Sequence, residues 1–336
     1  MKKFLCLMFA FMVSITLFLS GCNKSDKNTI RLVEVTHSIF YAPLYIAINN
    51  GYFEDEGLTI KLTNGGGADK CMTAILSKNA DIGLMGPEAA IYVKAGDAKD
   101  YAVVFGQLTK RDGSFLVSKT PTDNFSWNDL KGKTVIGGRE GGVPALTFDY
   151  VMKQNGLNPG NQIDATHDVK VLSNVEFNLT AATFENDDSI DYCTLFEPIA
   201  SQVVARGTGH VVASIGEYSG EIPYTAFMAK KSYLTKDPKR AEKFLRAIKR
   251  GYDFLVKENN LENAVDSIMP SFADTDRNVI KEALKRYIAI DAWVETPVMK
   301  QESYNKLHSL IKDANLIDKD VEYSSIIDNT YALKLA

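Results

Sequence analysis

The sequence is poor in the residues that build disulfide scaffolds and metal centres. Its 336 residues include four cysteines and four histidines. Cys6 lies in an amino-terminal leader and Cys22 directly after it, and Cys71 and Cys193 stand far apart, so no disulfide framework is implied. His37, His167, His210 and His308 are scattered without metal-ligand spacing, and no Ser-His-Asp or Cys-His arrangement can be argued from them. Basic residues show no excess: 38 Lys and Arg against 42 Asp and Glu give a formal charge of −4 with no basic stripe, which argues against a nucleic-acid partner. Internal repeats and low-complexity tracts are absent. The glycines at 137–142 do not match a phosphate-loop or dinucleotide spacing, and no Lys-Ser or Lys-Thr pair follows them.

What is present begins with an export pattern. Met1-Lys2-Lys3 is basic, residues 4–19 are apolar apart from Ser14 and Thr16, and the run is short for a stable span. It ends in Leu19-Ser20-Gly21-Cys22, which looks like a bacterial lipobox. Small residues let the chain lie extended in a peptidase cleft, and the cysteine thiolate accepts the lipid. Residues 1–21 are therefore expected to be a signal peptide, Cys22 the lipidated residue, and 22–29 a polar tether that holds a folded body off the membrane. Loss of Lys2 and Lys3 shifts the formal charge to about −6. Cys71 and Cys193 then remain as small core residues.

The exported body, about 315 residues, exceeds what one core usually accommodates. Residues 30–35, 58–62, 81–85 and 101–108 read as strands, alternating with helices over 41–48, 69–77 and 88–95. Such an order argues for an α/β fold with mostly parallel sheets covered on both faces. After a turn at 110–113 and an extended segment over 114–117, a second unit follows. Its strands are 134–136, 169–172, 190–195 and 211–215, and its helices 143–155, 178–184 and 199–205. Residues 224–229 return to the first unit, and amphipathic helices from Pro238, over 278–293 and over 297–314 pack against it. The domain expectation is a discontinuous first lobe, 30–118 with 221–336, and a second lobe, 119–220, joined by two extended crossovers that form a hinge over a cleft. Pro87 and the glycine-rich turns before several helices place free backbone N–H groups at strand ends, where open α/β sheets bind ligands.

Tyr41-Ala42-Pro43-Leu44-Tyr45-Ile46-Ala47, the block from Gly51-Tyr52-Phe53 to Gly57-Leu58, Gly65-Gly66-Gly67, Ala80-Asp81-Ile82-Gly83, Gly137-Gly138-Arg139 and Glu197-Pro198 together carry a resemblance. The chain resembles the solute-binding proteins of ATP-driven uptake systems. Within them it is most similar to the type that receives nitrate, sulfonates, taurine and the thiamine pyrimidine precursor (NMT1/THI5-like). The resemblance implies a two-lobed periplasmic-binding-protein fold of type II closing on one small-molecule solute. It also implies delivery to an ABC permease with its ATPase, no cofactor and no metal. The protein is expected to be a lipid-anchored monomer outside the cytoplasmic membrane. Pyrimidine-synthase enzymes share the scaffold, but their chemistry looks to need iron-binding histidine and a cysteine-rich motif that this chain lacks.

The resemblance places His37, Ser38 and Tyr41 in a binding loop, with Tyr41 either stacking on a flat ligand or acting as a capping aromatic. Gly66 and Gly86, with Pro87, offer close backbone approach. Glu88 opens a helix, where it would repel an anion and favour an amine-bearing or neutral solute, unless it only caps the helix. On the opposing wall Gly138 and Gly141 can clasp an oxygen. Arg139 is a bidentate anion grip, a partner of Glu140 or a latch between lobes. Glu197 matches a segment whose acid faces the aminopyrimidine in thiamine-pyrimidine relatives, and Phe196 or Tyr224 could flank such a ring; the alternative is a helix-start carboxylate with no ligand. Acid and aromatics together favour a nitrogen heterocycle over nitrate; an alkanesulfonate, taurine or nitrate is the alternative.

Overall fold

A computed structural model of the chain describes residues 28–257 and 260–336. The leader, Cys22 and most of the tether lie outside the described residues. The first sheet is formed by β1 (Thr29–Glu34), β2 (Thr59–Asn64), β3 (Ile82–Met85), β4 (Ala102–Thr109) and, from much later in the chain, β11 (Thr225–Lys230). The order is β2-β1-β3-β11-β4, with β1 parallel to β2 and β3, and β11 antiparallel to both of its neighbours. Every residue of β4 is buried, as expected of a strand covered on both faces. The second sheet has the order β10-β5-β9-β6-β8-β7, built from β5 (Ser114–Ser118), β6 (Thr134–Ile136), β7 (Pro159–Gly160), β8 (Val169–Leu172), β9 (Tyr192–Phe196) and β10 (His210–Ser214). This is the two-lobed α/β architecture expected from the order of elements.

One boundary differs. β5, which the sequence pattern leaves in the first lobe, pairs with β9 and β10 in the second sheet. The chain therefore changes lobes at Lys110–Gly113 rather than after residue 118. In that sheet Phe115 and Val117 face one core and Leu116 the other, so β5 is covered on both faces. The two crossovers run side by side. Ile222 N donates to Lys110 O at 2.9 Å and Tyr224 N to Thr109 O at 3.1 Å, and the Thr109 and Thr225 hydroxyls meet at 2.6 Å.

Helices cover the sheets: α1 (Ala42–Asn49), α2 (Ala68–Leu76), α3 (Glu88–Ala95), α4 (Val143–Gln154), α5 (Ile199–Ala205), α6 (Pro238–Tyr252), α7 (Leu261–Ile268), α8 (Arg277–Ala289) and α9 (Gln301–Asp313). α6 begins with Pro at its first position and buries Phe244, Leu245 and Ile248. Phe244 packs on Phe53, Phe105 and Phe227, joining helix to sheet. At Gly251 a Cβ would lie 2.1 Å from Pro43 O, so the close seating of α6 on α1 requires glycine there. α7 was not legible in the sequence, and α8 stops at Ala289, short of Trp293. That indole instead lies buried and donates to Phe40 O at 2.8 Å.

α8 carries the contacts that hold the second lobe. Glu197 N, at the end of β9, donates to the Tyr287 hydroxyl, which itself donates to Gly113 O, both at 3.0 Å. The Glu197 carboxylate is fully buried. It accepts from Ser201 N and Ser201 Oγ, each at 2.9 Å, and pairs with Arg286 Nη1. Arg286→Ala would leave that carboxylate buried without a counter-charge. The expected cost is about 3 kcal/mol, the lower end for a broken buried pair because Arg286 is a third exposed. A melting comparison checks this, and an unchanged midpoint would contradict the anchoring role.

A second buried acid lies on the first crossover. Asp112 Oδ1 accepts from Ser114 N at 2.7 Å and Ser114 Oγ at 2.6 Å, while Oδ2 has no partner. Burial pushes this carboxyl up to about 7, against the pull of Ser114. Below the ordinary carboxylate range both folded and unfolded chains hold the proton. Between that range and about 7 only the folded chain does, so stability falls as pH rises through this window and the penalty is complete above it. Asp112→Asn keeps the acceptor for Ser114 and removes the charge. It should melt higher than wild type at about pH 8 and gain less at about pH 5; an equal gain at both would exclude titration of Asp112 as the cause.

Candidate functional site

Between the lobes lies a cavity of about 480 Å³. Its first-lobe wall comes from the segment after β1 (Val35, Thr36, Tyr41), from α2 (Ala68, Asp69, Met72, Thr73, Leu76) and from α3 with the turn before it (Gly86, Glu88, Ala89, Tyr92, Val93). The second lobe contributes the turn into α4 (Arg139 to Pro144), Phe177 and Phe196, and the second crossover contributes Tyr224 and Thr225. Rings dominate the surface. Phe196 lies 6.1 Å from Phe177 and 6.2 Å from Tyr224, centroid to centroid, and Phe40 stands behind Phe196, Tyr41 and Tyr224. A mostly apolar concavity with a few convergent polar groups is the usual form of a small-molecule site.

Of the residues expected from the sequence, Tyr41, Gly86, Glu88, Arg139, Gly141, Phe196 and Tyr224 line this cavity. His37, Ser38, Gly66, Pro87, Gly138 and Glu197 do not, and each has a local reason. His37 is turned toward Glu34 and Ser271 O, at 2.7 Å from each, and stacks on Phe272; the Glu34 carboxylate holds its imidazole above the ordinary range. Ser38 is buried, capping the turn at Phe40 N and donating to Glu197 O at 2.6 Å. Gly66 turns on the Asn64 side chain with φ of +71°, and Pro87 caps α3 without reaching the lining. Gly138 packs so tightly that a Cβ would stand 2.5 Å from Ala145 N. Glu197 faces Ser201 and Arg286, not the cleft.

Arg139 takes the latch role. Its Nη1 meets Asp69 Oδ1 at 2.9 Å and its Nη2 lies 3.7 Å from Glu176 Oε1, so it joins α2 of one lobe to the loop after β8 of the other. Lys70 reaches the same Glu176 at 3.3 Å, and the Tyr92 hydroxyl donates to Gly141 O at 2.6 Å. These contacts close the cavity rim, which leaves Arg139 with two acids before any solute arrives.

Glu88 differs from every other acid in the cleft. It is 2 % exposed, and its Oε2 has no hydrogen-bond partner. Burial pushes its carboxyl up to about 7, against the pull of the backbone N–H groups of Glu88, Val143 and Ala89. Those amides belong to the starts of α3 and α4, so two helix ends that favour an anion already face an acid supplied by the chain. Gly86 makes the fold-back possible: a Cβ there would stand 1.9 Å from Glu88 Oε2.

Residues missed from the sequence include Tyr92, Phe177, Asp69 and Met72. Tyr92 was recoverable, since it follows Glu88 by one helical turn and shares its face. Phe177 lies in an irregular loop without periodicity, so no local signal marks it.

Known proteins resemble this chain along most of its length. The Bacillus subtilis strain 168 protein YtlA, named as a binding protein and not by any solute, is 38% identical over 338 residues, covering 100% of this chain and 99% of that one. A 4-amino-5-hydroxymethyl-2-methylpyrimidine phosphate synthase of Aspergillus parasiticus is 26% identical over 235 residues, 65% of this chain and 64% of its own. Among solved structures, the alkanesulfonate-binding protein SsuA of Xanthomonas axonopodis pv. citri, bound to MOPS, superposes with a TM-score of 0.71 at 14% identity, covering 90% of this chain and 98% of that one. That likeness shows the periplasmic-binding-protein fold. The family model described as NMT1/THI5 like matches residues 39–260, and with that match over most of both lobes the chain belongs to the NMT1/THI5-like family.

Proposed function

We propose that this protein is an extracytoplasmic solute-binding protein that captures a small nitrogen-bearing ring, of the thiamine-pyrimidine kind, and delivers it to an ABC permease. The observation that carries the solute class is the cavity itself, walled by Tyr41, Phe177, Phe196 and Tyr224 and lined by the buried Glu88 carboxyl, whose Oε2 has no partner. Flat rings gain stacking and apolar burial against such walls. An alkanesulfonate or nitrate is disfavoured because Arg139, the one guanidinium that lines the cleft among the described residues, is already engaged by Asp69 and Glu176, and Glu88 occupies the helix starts. Binding without turnover is supported by YtlA being named for binding and by the state of the thiols. Cys71 and Cys193 are buried, and burial pushes Cys71 up to about 12 and Cys193 higher, the opposite of an activated nucleophile.

Titration calorimetry with 4-amino-5-hydroxymethyl-2-methylpyrimidine and with ethanesulfonate tests the solute class. The pyrimidine should bind and the sulfonate should not; the reverse would move the protein to the sulfonate group. Mass spectrometry of ligand released on unfolding gives an independent identification.

The proposal includes acylation at Cys22 and a monomeric body held outside the membrane, supported by the Leu19-Ser20-Gly21-Cys22 pattern. Cys22→Ala should abolish metabolic labelling with palmitate and release or leave unprocessed the protein. Label retained in the variant would contradict the anchor.

A further inference from the structure

Two acids were candidates for reading the nitrogen of the solute, and the structure separates them. Glu197, the acid of the Glu-Pro segment, spends both carboxylate oxygens on Ser201 and Arg286 and lines no part of the cavity. Glu88, on the opposite lobe, lines it, is almost fully buried and keeps one oxygen without a partner. A buried acceptor left unpaired is costly, and one that lines a cavity, as Glu88 does and Asp112 does not, can be completed by what enters it.

We propose that Glu88 is the specificity-determining acceptor of this protein, its Oε2 taking an N–H from an amine or amidine group carried by the ring. This rests on the solute-binding reading above and deepens it. The ring packs against the wall formed by Tyr41, Phe177, Phe196 and Tyr224, with its amine directed at the start of α3, where Glu88 stands. Recognition of the nitrogen therefore comes from the first lobe. An amine, neutral or cationic, satisfies Oε2, whereas an anionic substituent is repelled by the carboxylate and one without a donor leaves it unpaired.

The chemistry fixes the pH dependence. Free Glu88 loses its proton near 7, and its ionised form is the better acceptor, so affinity rises as pH rises through that value. The groups that face it are Tyr41 and Tyr224, and Tyr92 from its own helix, all phenols that burial pushes above their ordinary range. Arg139, Asp69 and Glu140 stand on the rim, and Asp112 behind Tyr224 titrates in the same region without touching the cavity. Asp112 is therefore the group to be distinguished from Glu88.

Calorimetry with 4-amino-5-hydroxymethyl-2-methylpyrimidine, and with the same ring lacking the amine, tests this on wild type, E88Q and E197Q between about pH 6 and about pH 8. Glu88→Gln keeps the side chain's size, and its fold is checked by melting. Wild type should prefer the amine, E88Q should lose roughly tenfold to a hundredfold in affinity for it, and the rise with pH should flatten. E197Q should keep both the preference and the pH profile. Equal affinity in wild type and E88Q, or a pH profile unchanged in E88Q, overturns the assignment to Glu88 while leaving the binding reading intact. Binding of ethanesulfonate in place of either ring, or of no probe, overturns both.

Discussion

One phenol ties the second lobe to the first at the chain's entry and at the end of β9. Tyr287, on a helix of the first lobe, accepts from the backbone at the end of β9 and donates to the backbone of the first crossover, so the second lobe is fixed where the chain enters it. The Glu197 carboxylate adds a second tie to the same helix through Arg286. Both ties sit at the closed edge of the cleft. Phe196 precedes Glu197 in sequence, and Tyr224 lies on the second crossover, so the rings that wall the cavity inherit their positions from the groups that hold the crossovers. A buried phenol suits this role because its burial holds it neutral, and one hydroxyl can both donate and accept without a charge to desolvate.

The buried acids illustrate how environment assigns roles to one chemical group. Glu197 has donors for each oxygen and a guanidinium beside it, which is the condition for keeping a charge in a core. Asp112 has donors for one oxygen only, and Glu88 has one oxygen without any. The last two pay the desolvation penalty in raised proton affinity. What distinguishes Glu88 from Asp112 is access: the first lines a cavity large enough for a small ring, and the second is closed in by the crossover.

Strands and most helices were legible because they follow from burial period, glycine and proline, all local in sequence. β6 and β8 fall where the pattern puts them, and α3 and α5 likewise. The cleft was legible only in part, because orientation there is set by partners distant in sequence. Glu88 and Glu197 look alike as acids after a strand and beside a proline. Ser201 could be suspected from its position one turn after Glu197, but nothing local announces Arg286, 89 residues away. Arg139 offered three readings, and only the placement of Asp69 and Glu176 selects the latch. β5 was misplaced for the same reason, since a short strand buried on both faces reads alike in either sheet.

The rim contacts bear on how the cleft opens. Arg139 with Asp69 and Lys70 with Glu176 are partly exposed pairs, each worth about 0–1 kcal/mol and weakened by salt. The Tyr92 to Gly141 hydrogen bond adds about 1 kcal/mol. Rim contacts of this size bias the lobes toward closure without locking them. The buried ties at Tyr287 and Glu197 are stronger and lie on the opposite edge. On the function proposed above, the rim parts at a cost that burial of a ring against Tyr41, Phe196 and Tyr224 can exceed, and the solute supplies the apolar contact that the rim's charges do not.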